Sequence, residues 1–210
     1  QRGRTRQALS GTVSTQVTID EGYTKFECSW TECDLPEFKE TAELCRWRRR
    51  LHDAGLIGIY ADVGIGFGNV SMRVGSGPEF LVSGTQTGHL RDVGQQHFAL
   101  VTSADPEQNR VCCRGAIQAS SESMTHAALY QTDSSIAAVV HVHNKRLWHL
   151  LRGRIPTTDN TVAYGTPAMA KEFARLWHES DLQTSGIAVM GGHEEGLVSI
   201  GESMAAAATR

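Results

Sequence analysis

Residues 136–143 read Ile-Ala-Ala-Val-Val-His-Val-His, a small and β-branched apolar run that ends in two histidines one residue apart. A run of this kind suits a buried strand, because branched side chains pack well on a pleated surface. In a strand, residues two apart share a face, with Cα atoms roughly 6.6 Å apart. His141 and His143 can therefore aim two imidazoles at one point, as two ligands of a metal must. Two histidines at the mouth of a strand can also do no more than make hydrogen bonds, and the rest of the chain has to decide between these readings.

Length and composition bound the surroundings. At 210 residues the chain makes one well-filled domain or at most two small ones. Hydrophobic content of 40% and charged content of 20% describe an ordinary globular protein. The net charge of −3 comes with no basic stripe dense enough to track a phosphate backbone, which argues against nucleic acid as a partner. No apolar segment approaches the ~20 residues a membrane span needs. Arg2, Arg4 and Arg6 near the start lack the apolar core of a secretory signal. Five cysteines, an odd number with Cys112 and Cys113 adjacent, argue against a disulfide framework and for a reducing, cytoplasmic compartment. Cys28 and Cys33 are followed by no second pair at ligand spacing, so they are read as buried or half-buried thiols.

Residues 1–20 are polar and aperiodic and read as a tail, with one domain over 21–210. An edge strand is expected over 24–30. Asp34-Leu35-Pro36-Glu37 reads as a helix start, and Leu44, Trp47, Leu51 and Ala54 then form one apolar stripe that Gly55 ends. Arg46, Arg48, Arg49 and Arg50 mostly fall off that stripe, as a solvated face or subunit contact would. Gly64, Gly66 and Gly68 punctuate a loop, and a hairpin over 70–74 and 79–82 follows. Further strands are expected over 98–101, 186–190 and 196–200, and helices over 123–131, 145–151, 167–178 and from 202. This irregular interleaving predicts an α/β sandwich with much antiparallel pairing.

Other segments carry candidate chemistry. Glu122 stands in Ala119-Ser120-Ser121-Glu122-Ser123 at a helix start. It either caps the helix with Ser120 or Ser121, or serves as a proton-transfer group beside an anion site made of helix amides and hydroxyls. Gly68-Asn69-Val70-Ser71 and Ser83-Gly84-Thr85 are either turns or cradles, where glycine admits a phosphate and Asn and Ser supply donors. Gly64-Ile65-Gly66-Phe67-Gly68 lacks the dinucleotide spacing. His193, between two late strands, is either a solvated loop residue or a third ligand that leaves a fourth coordination position open. His126 is read as packing or hydrogen bonding, and His89, His97 and His149 have no alignment with the others.

The ordered set resembles the class II aldolase/adducin family: a Gly-Asn-x-Ser loop, a Ser-Gly loop, Ser-Ser-Glu, His-x-His and a late His, over roughly residues 36–202. Ser120-Ser121-Glu122, then His126 and Tyr130, then His141-Val142-His143 is especially similar to the fuculose-phosphate aldolase branch, and Tyr164-Gly165-Thr166-Pro167 is similar as well. The resemblance implies a single three-layer α/β/α domain with a largely antiparallel central sheet, assembled as a cyclic homotetramer. It implies that His141, His143 and His193 hold a divalent metal, with zinc expected. Gly68, Asn69, Ser83, Gly84, Ser120 and Ser121 would receive a substrate phosphate, with Glu122 as acid/base. The implied activity is a lyase that cleaves a carbon–carbon bond next to a carbonyl in a small phosphorylated sugar, through a metal-stabilised enediolate. Such negative oxygens need a fixed positive charge, the transient carbanion needs a positioned carboxyl, and the phosphate needs donors that orient it. Dehydration or epimerisation on the same site is the sister chemistry, although epimerases usually show aspartate at the Glu122 position. A non-catalytic, adducin-like scaffold would be marked by loss of the histidines or of Glu122.

Three features depart from the family pattern. Glu194 and Glu195 intervene between His193 and Gly196, so that either His193 remains the ligand on a remodelled loop or a glutamate joins the metal. Thr85-Gln86-Thr87-Gly88-His89 extends the Ser-Gly loop, which either changes substrate size or replaces the phosphate. The tyrosine acid that family aldolases draw from a C-terminal tail has no counterpart up to Arg210, which leaves the donor to the leaving aldehyde oxygen unassigned.

Overall fold

Apolar residues alternate along the interior strands, and the alternation sorts them onto two faces of one sheet. Phe80, Val82, Ala99, Val101 and Val139 pack on one side, while Leu81, Phe98, Leu100, Ala138 and Val140 pack on the other. The computed structural model describes residues 22–210, so the expected tail over 1–20 lies outside the described residues. The strands are β1 (Glu27–Glu32), β2 (Gly58–Tyr60), β3 (Ile65–Phe67), β4 (Asn69–Arg73), β5 (Phe80–Ser83), β6 (Phe98–Asp105), β7 (Arg110–Gly115), β8 (Ala138–His143), β9 (Ile187–Val189) and β10 (Gly196–Gly201). Eight of them form a sheet in the order β1-β7-β6-β5-β4-β8-β10-β9, and β2 and β3 pair separately. Among the strand pairs of this sheet only β1 on β7 is parallel, and the others are antiparallel.

Helices α2 (Ser123–Thr132) and α4 (Pro167–Glu179) cover the first face through Met124, Leu129, Met169 and Phe173. Helices α1 (Glu40–Asp53) and α6 (Met204–Ala208) cover the second through Leu44, Leu51, Met204 and Ala207. The result is the three-layer α/β/α architecture with a largely antiparallel sheet. Two short helices, α3 (Lys145–Leu151) and α5 (Leu182–Ser185), complete the chain. No described helix is long and apolar enough to cross a membrane.

Local departures from expectation have identifiable causes. Helix α1 begins at Glu40 rather than near Pro36, because the Gln95 amide takes the Leu35 and Pro36 carbonyls at 2.6 Å each and holds that stretch out of the helix. The glycine-punctuated stretch expected to be a loop contributes strand β3, which closes a hairpin onto β2. Strand β7 was not expected, since it alternates Val111 and Cys113 inward with arginines outward and has little apolar signal. The Cys28 and Cys113 thiols touch at 3.6 Å. Cys28 is in register with Val111, however, so the two Cα atoms stand about 8 Å apart on a diagonal, beyond disulfide reach. All five cysteines are free.

Candidate active site

Strand β8 runs between β4 and β10, and its last residues bring two histidines to the end of the sheet. His141 stands opposite Asn69 of β4 and Val198 of β10, and His143 stands opposite Gly196. By strand alternation both rings share the face of Val139, the face that α2 covers. The β9–β10 turn returns His193 to the same place. Gly196 makes room for it, since a Cβ there would lie 2.5 Å from the His193 ring. Gly68, at φ +75°, keeps the backbone next to His141 close-packed against Leu56 and Ile57.

The three imidazoles converge through one nitrogen each. Nε2 of His143 lies 3.0 Å from Nε2 of His141 and 3.0 Å from Nε2 of His193. All three rings are buried, and among the described residues they are the one group of three or more His, Cys, Asp or Glu placed to share an ion. His141 Nδ1 donates to the Leu197 carbonyl at 3.1 Å, which leaves its Nε2 as a lone pair. Burial holds the His141 imidazole down at about 4, and holds His143 and His193 well below the ordinary histidine value, so all three are neutral donors. The His141 Nε2 lone pair points into this cluster, and a cation at its centre would take one lone pair from each ring. Two imidazoles on a tetrahedral zinc, each about 2.05 Å from it, stand about 3.3 Å apart, so the donor set fits a divalent ion with a small outward adjustment.

Glu122 precedes α2 but does not cap it, since its side chain makes no hydrogen bond to the helix amides. One carboxylate oxygen accepts from Thr125 Oγ1 at 2.9 Å. The other is buried without a hydrogen-bond partner, 3.7 Å from His193 Nε2 and 4.0 Å from His141 Nε2. Burial raises its pKa to about 7, against the opposing pull of Thr125 and the Lys25 ammonium.

Gly68, Asn69, Gly84, Ser120 and Ser121 line one cavity, together with Gly22, Gly66 and residues 85–88. Ser120 Oγ accepts from Asn69 Nδ2 at 3.1 Å and from the Glu122 amide at 3.3 Å, so its own proton remains to donate. Ser83 stands apart from this lining. Its hydroxyl accepts from Val70 N and donates to Val70 O, tying β5 to β4. His126 lies outside the imidazole cluster, with Nδ1 2.7 Å from Ser71 Oγ.

Four site neighbours have no part in the site as read from sequence alone. The Tyr60 hydroxyl lies 2.8 Å from His143 Nδ1, from 83 residues away. Tyr164, within a segment noted for its motif but given no role, places its ring 4.4 Å from that of His193. Lys25 lies over the Tyr164 ring at 3.6 Å. Arg48, expected on a solvated or contact face, is instead buried, because its guanidinium donates to the Leu90 and Thr87 carbonyls and anchors the loop that closes the cavity.

Residues 42–210 match the family model described as Class II Aldolase and Adducin N-terminal domain. No curated protein matches the chain. Among solved structures, YgbL from Escherichia coli, an aldolase/epimerase/decarboxylase candidate, superposes with a TM-score of 0.58 at 21% identity, covering 80% of this chain and 81% of that one. An L-fuculose 1-phosphate aldolase superposes with a TM-score of 0.60 at 16% identity, covering 82% and 80%. An aldolase II superfamily protein from Pseudomonas syringae gives 0.56 at 15% identity, covering 82% and 71%. At these identities the likeness is one of fold.

Proposed function

The chain belongs to the class II aldolase and adducin family, and we propose that it is a metal-dependent lyase that opens a carbon–carbon bond next to a carbonyl in a small phosphorylated sugar. The observation that carries this reading is the convergence of three neutral imidazoles with a buried, partnerless carboxylate oxygen less than 4 Å from one of them. His141, His143 and His193 hold the ion, which we take to be zinc. A bound divalent ion supplies positive charge against the negative charge that develops on the substrate oxygens as the bond breaks.

The chain's own residues do the rest. Gly68, Asn69, Gly84, Ser120 and Ser121 receive the phosphate and so orient the reacting carbons, with Ser83 holding the strand behind them. Glu122, with its pKa near neutrality, holds or moves a proton at the carbon next to the carbonyl. A purely scaffolding role gives no reason to converge three buried imidazoles through their Nε2 atoms. The five free thiols suit a cytoplasmic setting, and a homotetramer is the assembly to test by light scattering.

The test is metal analysis joined to a screen of ketose 1-phosphates for aldehyde release. Stoichiometric zinc and cleavage, both lost in His141→Ala, are expected. Metal-free protein after purification in the presence of zinc would remove the proposal.

A further inference from the structure

We propose that Tyr60 and Glu195 are positioning residues for His143, joined to it in one hydrogen-bonded chain that fixes which nitrogen faces the other two imidazoles. The inference deepens the metal reading and rests on it. The Tyr60 hydroxyl lies 2.8 Å from His143 Nδ1 and donates to Glu195 Oε2 at 2.9 Å. A phenol has one proton, and a carboxylate can only accept. With that proton given to Glu195, the Tyr60 oxygen accepts from His143 Nδ1–H, and the His143 Nε2 lone pair is turned toward His141 and His193.

The same hairpin steadies the ring from its flank. Phe67, opposite Gly58 in the β2–β3 pair, stacks on His143 with centroids 5.4 Å apart, and Tyr60 packs on Phe67 at 4.6 Å. The three ligands are thus oriented differently. His141 leans on a neutral backbone carbonyl, whereas His143 leans through a phenol on a carboxylate.

Glu195 occupies a backbone position that a side chain rarely adopts. Its φ is +71°, in the left-handed region where glycine sits without penalty. Its backbone carbonyl also accepts from Asn144 N at 2.9 Å, which ties the turn to the end of β8. Glycine would relax this turn; glutamate keeps it strained and contributes the carboxylate. A residue that only stabilised the turn would not be expected to carry a conformational cost at the same position.

The strain also gives the test its discriminating power, because the structural and positioning roles move two readouts in opposite directions. Co²⁺ is titrated into chelator-stripped wild type, Tyr60→Phe, Glu195→Gln, Glu195→Gly and His141→Ala, following its visible absorption and competing with a chelator, and each stripped protein is melted. Tyr60→Phe and Glu195→Gly are expected to weaken Co²⁺ binding about 10–100-fold and to alter the spectrum. Glu195→Gln, which keeps an acceptor but loses the charge, is expected between these and wild type. The stripped Glu195→Gly protein is expected to melt at or above the wild-type temperature.

Wild-type affinity and spectrum in Tyr60→Phe and Glu195→Gly would overturn the relay while leaving the metal site standing. Affinity lost only in step with melting temperature would reduce both residues to a structural role and equally overturn it. If wild type binds Co²⁺ no better than His141→Ala, the metal reading itself fails and the relay falls with it.

Discussion

Glu122 is 1% exposed, and one of its oxygens has no hydrogen-bond partner, an expensive arrangement for a group that could ionise freely at the surface. Glu122→Gln keeps the volume and removes the proton chemistry. Turnover is expected to fall about 10²–10⁴-fold while metal content stays unchanged, measured by aldehyde release alongside metal analysis. The same substitution has a signature in stability. Because burial raises the folded pKa from 4.5 to about 7, the acid's contribution is complete below pH 4.5 and is lost as pH rises through 7. Stripped Glu122→Gln should therefore gain on wild type in melting temperature between pH 5 and 8. At this scale His141 and His143 could be read from sequence because strand alternation alone makes two residues share a face. Tyr60 could not, since its place beside His143 depends on the β2–β3 hairpin, whose strands are three residues each and whose second strand lies in a glycine-punctuated stretch that reads as a loop.

Among the elements, α1 reaches the cavity without contributing to its lining. Its apolar stripe, Leu44 and Leu51, faces the sheet as the period of the sequence predicts. Arg48, four residues after Leu44 and three before Leu51, lies on that same buried face and is 1% exposed; its partners, Thr87 and Leu90, are about forty residues ahead and carry no local pattern. The late start of α1 has the same origin in Gln95. Strand β8 and helix α4 were legible because their signals are local: a β-branched run for the first, and for the second Pro167 in the first turn behind the Thr166 cap. Arg48→Ala would leave two carbonyls without their charged donor and release the loop over 85–90. A loss of about 2–4 kcal/mol is expected in urea denaturation, given about 1.5–3 kcal/mol for a hydrogen bond to a charged group. KM should rise more than kcat falls, since the loop closes the anion cradle rather than the imidazole cluster.

For the whole molecule, the three imidazoles join segments that are 52 residues apart in sequence at their widest, the end of β8 and the turn between β9 and β10. An ion that binds only the folded chain stabilises all of it. At a free metal concentration a hundred times the dissociation constant the gain is about 2.7 kcal/mol, or about 5–10 °C in melting temperature for a domain of this size. Chelation should remove that increment and zinc should restore it, as calorimetry would show. Acid should act on the stripped protein through the same residues. His126 is held down at about 3 and His141 at about 4, both by burial, and His143 and His193 are lowered as well. A depressed folded pKa contributes stability that is present above the unfolded value of 6.5 and lost as pH falls through the folded one. Each such histidine therefore removes up to about 1.4 kcal/mol per pH unit below 6.5. Glu122 works in the opposite sense between 4.5 and 7, but one carboxyl offsets only one of four imidazoles. Stripped wild type is therefore expected to lose stability steeply from pH 6.5 to 4, and His126→Gln to show a shallower fall. Equal slopes for the two proteins in pH-resolved urea denaturation would mean that His126 is not buried neutral in the folded chain.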